Sequence, residues 1–309
     1  YNYILYFKKD FMKYAKFLSI ICIPIILNSC SFNSNLDTSN IKTKYTDVVY
    51  GTDSSTQKMD IYLPNEWKWP FPVIVAIHGW AFAMWNKTGW DVVSMLKWVE
   101  HGYAVVMIDY RLSGEAVFPA AIDDVQKAIV FLKTNATKYN LNGWKIATWW
   151  DSAGWNLSAL AGTKWNVIDN TNVQAVIDWF WPIYFSTMDS EFAALWITPT
   201  MWATSTATSP ETKYLWKTVG TPESEEWVKQ ASPTTYITTE DPPFYIQHGT
   251  ADTNIPITQS ENFSVALKKI IGSEKVIFEK LEWAWHGWSQ FDSEENLVKV
   301  FAFLDKYLK

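Results

Sequence analysis

Beyond about residue 45, short apolar runs rich in β-branched residues alternate with longer stretches in which apolar residues recur every three or four positions. The first pattern is typical of buried strands and the second of amphipathic helices. A chain that alternates in this way buries its apolar surface as a mostly parallel sheet covered by helices, so we predict an α/β fold. Eight strands are predicted near 46–50, 58–63, 73–77, 104–109, 145–149, 174–178, 243–248 and 276–281, and helices near 89–101, 121–138, 153–162, 257–270 and 293–307.

Length and charge narrow the class of protein. With 309 residues, of which 48% are hydrophobic, the chain is long enough for one large α/β domain. The net charge is -6 and there is no basic run beyond the leader, which argues against binding nucleic acid or an anionic membrane surface. Both cysteines, Cys22 and Cys30, lie near the start, so the remainder has no disulfide, cysteine nucleophile or cysteine metal site.

The first 44 residues have the organisation of an export leader. Residues 1–11 are interpreted as upstream read-through, and 12–30 has the basic start and short apolar run of a signal peptide. It ends in Leu-Asn-Ser-Cys, which resembles a bacterial lipobox, so Cys30 is predicted to be lipidated and to anchor an exported protein to the membrane. Residues 31–44 are then a polar tether. Ordinary signal cleavage, with Cys30 as a spectator, is the alternative.

Residues 45–309 are predicted to form the α/β domain. Within it, the stretch from about 182 to 239 is rich in Thr, Ser and Pro and interrupts the alternation of strands and helices. We interpret this stretch as an inserted cap.

The segment 145–154 carries the candidate nucleophile. It runs from a predicted strand into a predicted helix through Asp-Ser-Ala-Gly and resembles the nucleophile elbow G-x-S-x-G of α/β-hydrolases, with Trp150 in the first glycine position. Such a turn raises the serine hydroxyl above the sheet and directs N–H groups of the helix towards a developing oxyanion. Taken alone, the tetrapeptide is as typical of a helix cap; between a strand and a helix it predicts Ser152 as the nucleophile.

A serine hydroxyl needs an adjacent base, which in this fold follows the serine and the acid along the chain. Of the four histidines, His78 and His101 precede Ser152, and His248 precedes the expected acid. His286 is therefore the predicted base. We expect His248 only to shape the end of its strand.

The candidate acid follows the predicted strand 243–248, in the sequence His-Gly-Thr-Ala-Asp. Asp252 would accept the Nδ1 proton of the catalytic histidine, fix its tautomer and stabilise the imidazolium formed during attack. Asp241 precedes the strand and Asp292 follows His286, so both fit the expected order less well. A turn or cap role for Asp252 is the alternative.

The third motif follows the predicted strand 73–77. The sequence His-Gly-Trp-Ala-Phe at 78–82 resembles the H-G-G-x oxyanion loop, whose main-chain N–H groups converge on the substrate carbonyl oxygen. The predicted donors are the N–H groups of Trp80, Ala81 and Ala153. Arg111, in Asp-Tyr-Arg-Leu at 109–112, is expected to be structural and to pair near this loop.

Together with Val-Val-Met-Ile-Asp-Tyr-Arg-Leu at 105–112, these motifs resemble the esterase and lipase branch related to acetylxylan and feruloyl esterases. The resemblance covers about residues 45–309. It implies hydrolysis of short acyl or feruloyl esters, including esters on polysaccharides, through an acyl-enzyme and without a metal or organic cofactor.

The tryptophans depart from this family pattern. There are 20 Trp and 12 Gly, whereas average usage gives roughly 22 Gly in a chain of this length. Only one of the 26 basic residues is arginine, which is typical of an AT-rich gene. We hypothesise that many residues written as Trp are encoded by UGA codons that the source organism reads as glycine, whereas Trp179 is a true tryptophan. The positions where glycine is expected are Trp80, Trp85, Trp90, Trp98, Trp150, Trp155, Trp181, Trp283, Trp285 and Trp288.

Two other functions fit parts of the sequence. A peptidase of the prolyl-oligopeptidase type shares the order of the triad, but such enzymes usually carry a large N-terminal propeller, and only 44 residues precede the α/β domain here. A non-catalytic surface binding protein on the same scaffold is favoured by Trp80 and Trp150 as written, because these side chains would block the site. Ser152, Asp252 and His286 argue against it.

Overall fold

The computed structural model describes residues 38–309 except 67, 69, 80, 90–93, 152–153, 166–168, 181 and 202; at 94, 150, 151 and 155 only the backbone is described. The described residues belong to one compact unit, Asn33–Lys309. The predicted signal peptide, and residues 31–37 of the predicted tether, lie outside them. Across the described residues, no helix is both long enough and apolar enough to cross a bilayer.

One eight-stranded sheet forms the centre of the unit, with the strand order β1-β2-β4-β3-β5-β6-β7-β8. The pairs β1–β2 and β2–β4 are antiparallel, and all other neighbours run parallel. The mostly parallel sheet predicted from the sequence is therefore confirmed. The strands are β1 Thr43–Val49, β2 Lys58–Leu63, β3 Phe71–Ile77, β4 Ala104–Ile108, β5 Leu141–Asp151, β6 Ala175–Trp179, β7 Phe244–Gly249 and β8 Val276–Leu281.

Helices cover the two faces of this sheet. The α-helices are α1 Ala120–Thr134, α2 Gly154–Thr163, α3 Met188–Ala194, α4 Pro210–Leu215, α5 Glu225–Ala231, α6 Thr258–Ile271 and α7 Glu294–Leu308. Short 3₁₀ helices occupy Ser94–His101, Thr137–Tyr139, Phe185–Thr187, Pro233–Tyr236 and Ser273–Lys275.

The central strands are apolar on both faces because helices cover both. Every residue from Val73 to Ile77 is fully buried, as a parallel strand between two helical layers requires. On one face Gly162 of α2 lies so close to Val176 and Phe244 that an added Cβ would be 2.6 Å from the first and 2.8 Å from the second. On the other face Trp149 packs against Phe301 of α7.

Two details differ from the sequence prediction. The stretch predicted as a helix over 89–101 forms a 3₁₀ helix over Ser94–His101, and the helix predicted over 121–138 ends at Thr134. The region predicted as a cap contains three short helices, α3 to α5. Its role as a cap stays a prediction.

Candidate active site

The junction between β5 and α2 has the predicted strand-to-helix form. β5 ends at Asp151 and α2 begins at Gly154, so only two residues connect them. Those two are Ser152 and Ala153, which lie outside the described residues. The junction follows the carboxyl end of a central strand, where α/β sheets present their functional groups.

Asp252 lies just after β7 and is buried. Its Oδ1 accepts hydrogen bonds from the backbone N–H groups of Asn254, at 2.8 Å, and Ile255, at 2.9 Å. Burial by itself raises the pKa of a carboxyl group, but the charge of His286 and hydrogen bonds from His248 and His286 outweigh it and hold the pKa of Asp252 well below its usual range. The group is therefore a carboxylate at neutral pH.

His286 lies in the loop between β8 and α7, as predicted. Its Nδ1 is 2.8 Å from the Oδ2 of Asp252, and its side chain keeps 17% of its surface exposed while the carboxylate is fully buried. The ring also contacts Phe180 edge to face, with the centroids 4.5 Å apart. A histidine held through Nδ1 by a buried carboxylate presents Nε2 for proton transfer.

Backbone contacts between the loops after β7 and β8 fix this pair. Thr250 N–H donates to the carbonyl of Leu281, and Ala251 N–H donates to the carbonyl of Ala284, both at 3.0 Å. The approach is so close that a Cβ on Gly249 would lie 2.2 Å from the Ala284 carbonyl oxygen. Glycine is therefore required at 249 for the acid and base loops to meet.

The predicted oxyanion loop begins at the carboxyl end of β3. The Tyr110 hydroxyl donates to the carbonyl of His78 at 2.8 Å, and the two rings stack with their centroids 4.3 Å apart. Burial lowers the pKa of His78 to about 3, so its imidazole is neutral at neutral pH. Among the predicted oxyanion donors, Ala81 is described, whereas Trp80 and Ala153 lie outside the described residues.

The loop continues past this motif to Lys87, and among its described residues the backbone is left-handed at three that are not glycine. The φ angles are 61° at Ala81, 56° at Phe82 and 76° at Trp85. Left-handed backbone is uncommon for residues with a side chain, and for a bulky residue it is an outlier. The loop therefore has a shape that suits glycine better than the residues written in the sequence.

Lys87 anchors the far end of the oxyanion loop. Its Nζ lies 3.0 Å from both Asp47 Oδ1 and Asp60 Oδ1, and its backbone N–H donates to Asp109 Oδ1 at 2.5 Å. Burial raises the pKa of Asp109 to about 6, although the N–H of Lys87 and its charge lower it in part. The loop is thus held against β1, β2 and the end of β4 by charges.

Arg111 pairs with a neighbouring helix. Its Nε and a terminal nitrogen contact the two carboxylate oxygens of Asp124 on α1, at 2.9 and 2.7 Å. The bidentate contact is buried on the carboxylate side and agrees with a structural role. Within the described parts of the chain, no cluster of His, Cys, Asp and Glu is arranged to hold a metal ion.

The sequence prediction missed a contact of Asp252 in this site. His248 was expected only to shape the end of β7, but its Nε2 lies 3.3 Å from the Oδ2 of Asp252. A spacing of four residues between the two was the available signal. The direction of the imidazole ring, which decides the contact, could not be predicted from the sequence.

The strand order, with Asp252 after β7 and its histidine partner after β8, defines an α/β-hydrolase. The family model named BD-FAE matches residues 59–267, and the chain belongs to that family. This agrees with the esterase branch that the sequence motifs resemble.

Named relatives and solved structures support the same class. The chain is 26% identical to the probable carboxylic ester hydrolase LipM of Mycobacterium tuberculosis, over 83% of this chain and 61% of LipM. It is 27% identical to esterase LipQ of the same organism, over 78% of this chain and 56% of LipQ. The chain thus spans about three fifths of the length of these curated relatives.

Among solved structures, a truncated carbohydrate esterase from gut microbiota is 30% identical, with a TM-score of 0.74 over 87% of this chain and 98% of that one. A bifunctional GH43-CE protein of Bacteroides eggerthii is 31% identical, with a TM-score of 0.73 over 86% of this chain and 35% of that one.

Proposed function

We propose that this chain is a serine carboxylic-ester hydrolase with Ser152 as nucleophile, His286 as base and Asp252 as acid. The observation that carries the proposal is the 2.8 Å contact between His286 Nδ1 and the buried Asp252 carboxylate. The strand-to-helix junction that contains Ser152 and the esterase names of the relatives support it.

The first half of the reaction forms an acyl-enzyme. Ser152 Oγ attacks the ester carbonyl carbon while His286 Nε2 takes the hydroxyl proton, and Asp252 stabilises the resulting imidazolium through Nδ1. Main-chain N–H groups of Trp80, Ala81 and Ala153 are the proposed donors to the oxyanion. The tetrahedral intermediate collapses when His286 returns the proton to the leaving alkoxide, and the alcohol departs.

The second half releases the acid. A water molecule attacks the acyl carbonyl and His286 removes its proton, so a second tetrahedral intermediate forms on Ser152. Collapse of this intermediate returns the proton to Ser152 Oγ and frees the carboxylic acid. The two halves together consume one water and release an alcohol and a carboxylic acid, and we propose no metal or organic cofactor.

For the substrate class we propose short acyl or feruloyl esters on plant polysaccharides. The solved structure at 30% identity is a carbohydrate esterase by name, which supports a sugar on the alcohol side. Release of acetate from acetylated xylan, compared with release of ferulate from feruloylated arabinoxylan, tests the acyl group.

The test of the nucleophile uses two serines on the same segment. Ser152→Ala should abolish turnover of a chromogenic acetyl ester and labelling by a fluorophosphonate, because both need the Oγ. Ser158→Ala is the matched control, since Ser158 lies further along α2 and its buried Oγ has no hydrogen-bond partner among the described residues. Labelling retained in Ser152→Ala would refute the triad, and an unlabelled native protein would favour the binding-protein alternative.

We also propose that the protein is exported and anchored through a lipid on Cys30. The proposal is supported by the lipobox-like sequence before Cys30, which lies outside the described residues. Palmitate labelling in cells should disappear in Cys30→Ala and persist in Cys22→Ala. Equal labelling of the two variants would exclude the anchor.

We further propose that several tryptophans of the written sequence are glycine in the native protein. Four of the described tryptophans have left-handed backbone, with φ angles of 76° at Trp85, 57° at Trp196, 55° at Trp216 and 61° at Trp283. A residue with an indole side chain is sterically disfavoured in the left-handed region, whereas glycine adopts it without steric cost.

The hydrogen bonds at two of these residues define motifs that favour glycine. After α3, Trp196 N–H bonds the Ala193 carbonyl and Ile197 N–H bonds the Phe192 carbonyl. After α4, Trp216 and Lys217 make the equivalent pair of bonds. Both are Schellman motifs with tryptophan at the left-handed position, where helices most often carry glycine. The sequence alone had assigned no role to Trp196 and Trp216.

Trp283 is the third residue of the turn that Ala284 N–H closes on the Leu281 carbonyl, and type II turns take glycine at that place. The exposure of these side chains also agrees with glycine at both positions, because Trp196 is 95% and Trp283 81% exposed. Trp98 is different: it is fully buried against Trp149 with no left-handed φ, so its assignment to glycine rests on the family pattern alone.

Peptide mass spectrometry of native protein, together with the gene sequence, tests this proposal. We expect glycine and UGA at 85, 196, 216 and 283, and tryptophan and UGG at the buried Trp179. UGG at the four left-handed positions would refute it.

A further inference from the structure

His248 is a fully buried histidine between the acid loop and α6. Its Nδ1 lies 2.7 Å from Ser260 Oγ, at the start of α6, and its Nε2 lies 3.2 Å from the carbonyl oxygen of Ile255. The same Nε2 is 3.3 Å from Asp252 Oδ2. The imidazole therefore connects the acid of the proposed triad to the first turn of a helix.

These contacts fix the tautomer of His248. Nε2 faces two oxygens, the Ile255 carbonyl and the Asp252 carboxylate, that can only accept, so it must carry a hydrogen. Nδ1 is then the acceptor in a neutral ring, and the Ser260 hydroxyl donates to it. The opposite tautomer would place a lone pair against two acceptors in a buried site, which is unfavourable.

The carboxylate of Asp252 is consequently surrounded by donors. Oδ1 accepts the N–H groups of Asn254 and Ile255, and Oδ2 lies against both His286 Nδ1 and His248 Nε2. The backbone N–H groups hold Oδ1. The two imidazoles limit the rotation of the carboxylate by holding Oδ2. Without His248, the catalytic base alone among the described residues would contact Oδ2.

We propose that His248 is a positioning residue of the catalytic site, which holds Asp252 Oδ2 towards His286 through an Nε2–H donor while Ser260 fixes its tautomer. The proposal rests on the proposed function for the role of Asp252. It gives His248 a part in orienting the acid, in addition to filling space at the end of β7.

The proposed role has consequences that packing alone does not. A donor on Oδ2 withdraws part of the negative charge that His286 sees. Its removal leaves that oxygen more basic, so protonated His286 is held more tightly and the pKa of His286 moves up. The reacting base is then less often neutral near pH 7, so turnover falls.

The test compares His248→Leu, which keeps bulk without a donor, with His248→Gln, whose side-chain N–H can reach the same oxygen. The titration of the His286 Cε1–H resonance is followed by NMR, which needs no substrate, and the pH profile of kcat/KM is followed on an acetyl ester. With four histidines in the chain, assignment by substitution is direct. His101→Gln is the control, because His101 is exposed and stacks on Phe301.

We expect His248→Leu to lower kcat about tenfold to a hundredfold, as loss of a hydrogen bond to a charged group does, and to raise the His286 titration midpoint. His248→Gln should restore the midpoint, and Ser260→Ala should raise it less than His248→Leu. If His248→Leu fails to fold, Ser260→Ala and His248→Gln carry the test.

An unchanged midpoint in folded His248→Leu, with or without a lower rate, would overturn the positioning role. If Ser152→Ala keeps full esterase activity while the midpoint shift is seen, the proposed function fails and the contact between His248 and Asp252 stands.

Discussion

The two sides of the candidate site are built in different ways. On the acid–base side, the loops after β7 and β8 are joined by direct hydrogen bonds, and glycine is present where the chains approach most closely, at Gly249. On the oxyanion side, the loop after β3 is held by charges around Lys87, and Ala81, Phe82 and Trp85 are left-handed without being glycine.

The two sides differ in whether side-chain contacts or backbone conformation determine the geometry of the site. Side-chain hydrogen bonds depend on a few residue types, which Asp252 and His286 supply, so the acid–base pair forms although Trp283 in the loop after β8 is also left-handed. The oxyanion loop depends on left-handed backbone conformation, which only glycine adopts freely. Tryptophan at a left-handed position therefore leaves the acid–base pair in place and strains the backbone of the loop that carries it.

The largest expected effect comes from the acid–base side. Asp252→Asn should lower kcat by about 10⁴-fold, because an amide at this place favours the wrong tautomer of His286. Steady-state turnover of an acetyl ester measures it. Asp292→Asn is the control, since Asp292 is exposed and should change kcat little; equal losses in both variants would contradict the triad.

On the oxyanion side, Lys87→Met should lower the free energy of unfolding by about 3 kcal/mol, because it leaves the buried Asp60 carboxylate without its cation. Urea unfolding measures the change. Lys127→Met removes the half-exposed pair with Asp53 and should cost much less, because water screens an exposed ion pair. Similar losses for the two lysines would show that Lys87 is no special anchor.

Lowering the pH should change the stability that the two sides contribute in opposite directions. The pKa of Asp109 is raised to about 6, so the folded state binds a proton that the unfolded chain does not, and stability from this group increases as pH falls from 7 to 4. We expect wild type to gain about 2 kcal/mol relative to Asp109→Asn over that range. Asp252, whose pKa is lowered, contributes stability above about pH 4 that is lost below it. Parallel stability profiles for wild type and Asp109→Asn would exclude the Asp109 effect.

The smallest effect concerns the helix ends. In protein made with tryptophan at every written position, Trp196→Gly and Trp216→Gly should each raise the free energy of unfolding by about 1 kcal/mol, because the left-handed backbone no longer carries a Cβ. Trp179→Gly should instead destabilise by about 3 kcal/mol or more, because it opens a cavity in the core. Destabilisation by all three changes would argue for tryptophan at the helix ends.

Much of the fold could be predicted because burial on both faces makes each central strand a continuous apolar run. Val73–Ile77 and Ala104–Ile108 are such runs, and both are strands within two residues of the prediction. The helices in the predicted cap were missed because they are short and polar. Ser209 followed by Pro210 was a usable signal, since Ser209 caps α4 and Pro210 begins it.

At the site, the order of residues along the chain was enough to predict that Asp252 pairs with His286, and the structure has this contact. Contacts that depend on ring direction were not predictable, which is why His248 was assigned too small a role. The charged anchor of the oxyanion loop was missed for a related reason. Lys87 is far in sequence from Asp47 and Asp60, and only the pairing of β1 with β2 brings those carboxylates together.

The tryptophans that end α3 and α4 have a consequence for the movement of the gene between organisms. If positions 196 and 216 are glycines encoded by UGA, a cell that stops translation at UGA would release the chain no later than residue 195. Such a fragment has neither Asp252 nor His286 and cannot hydrolyse an ester. The enzyme could then be exchanged only among genomes that share its codon table, and production elsewhere would require rewriting the gene.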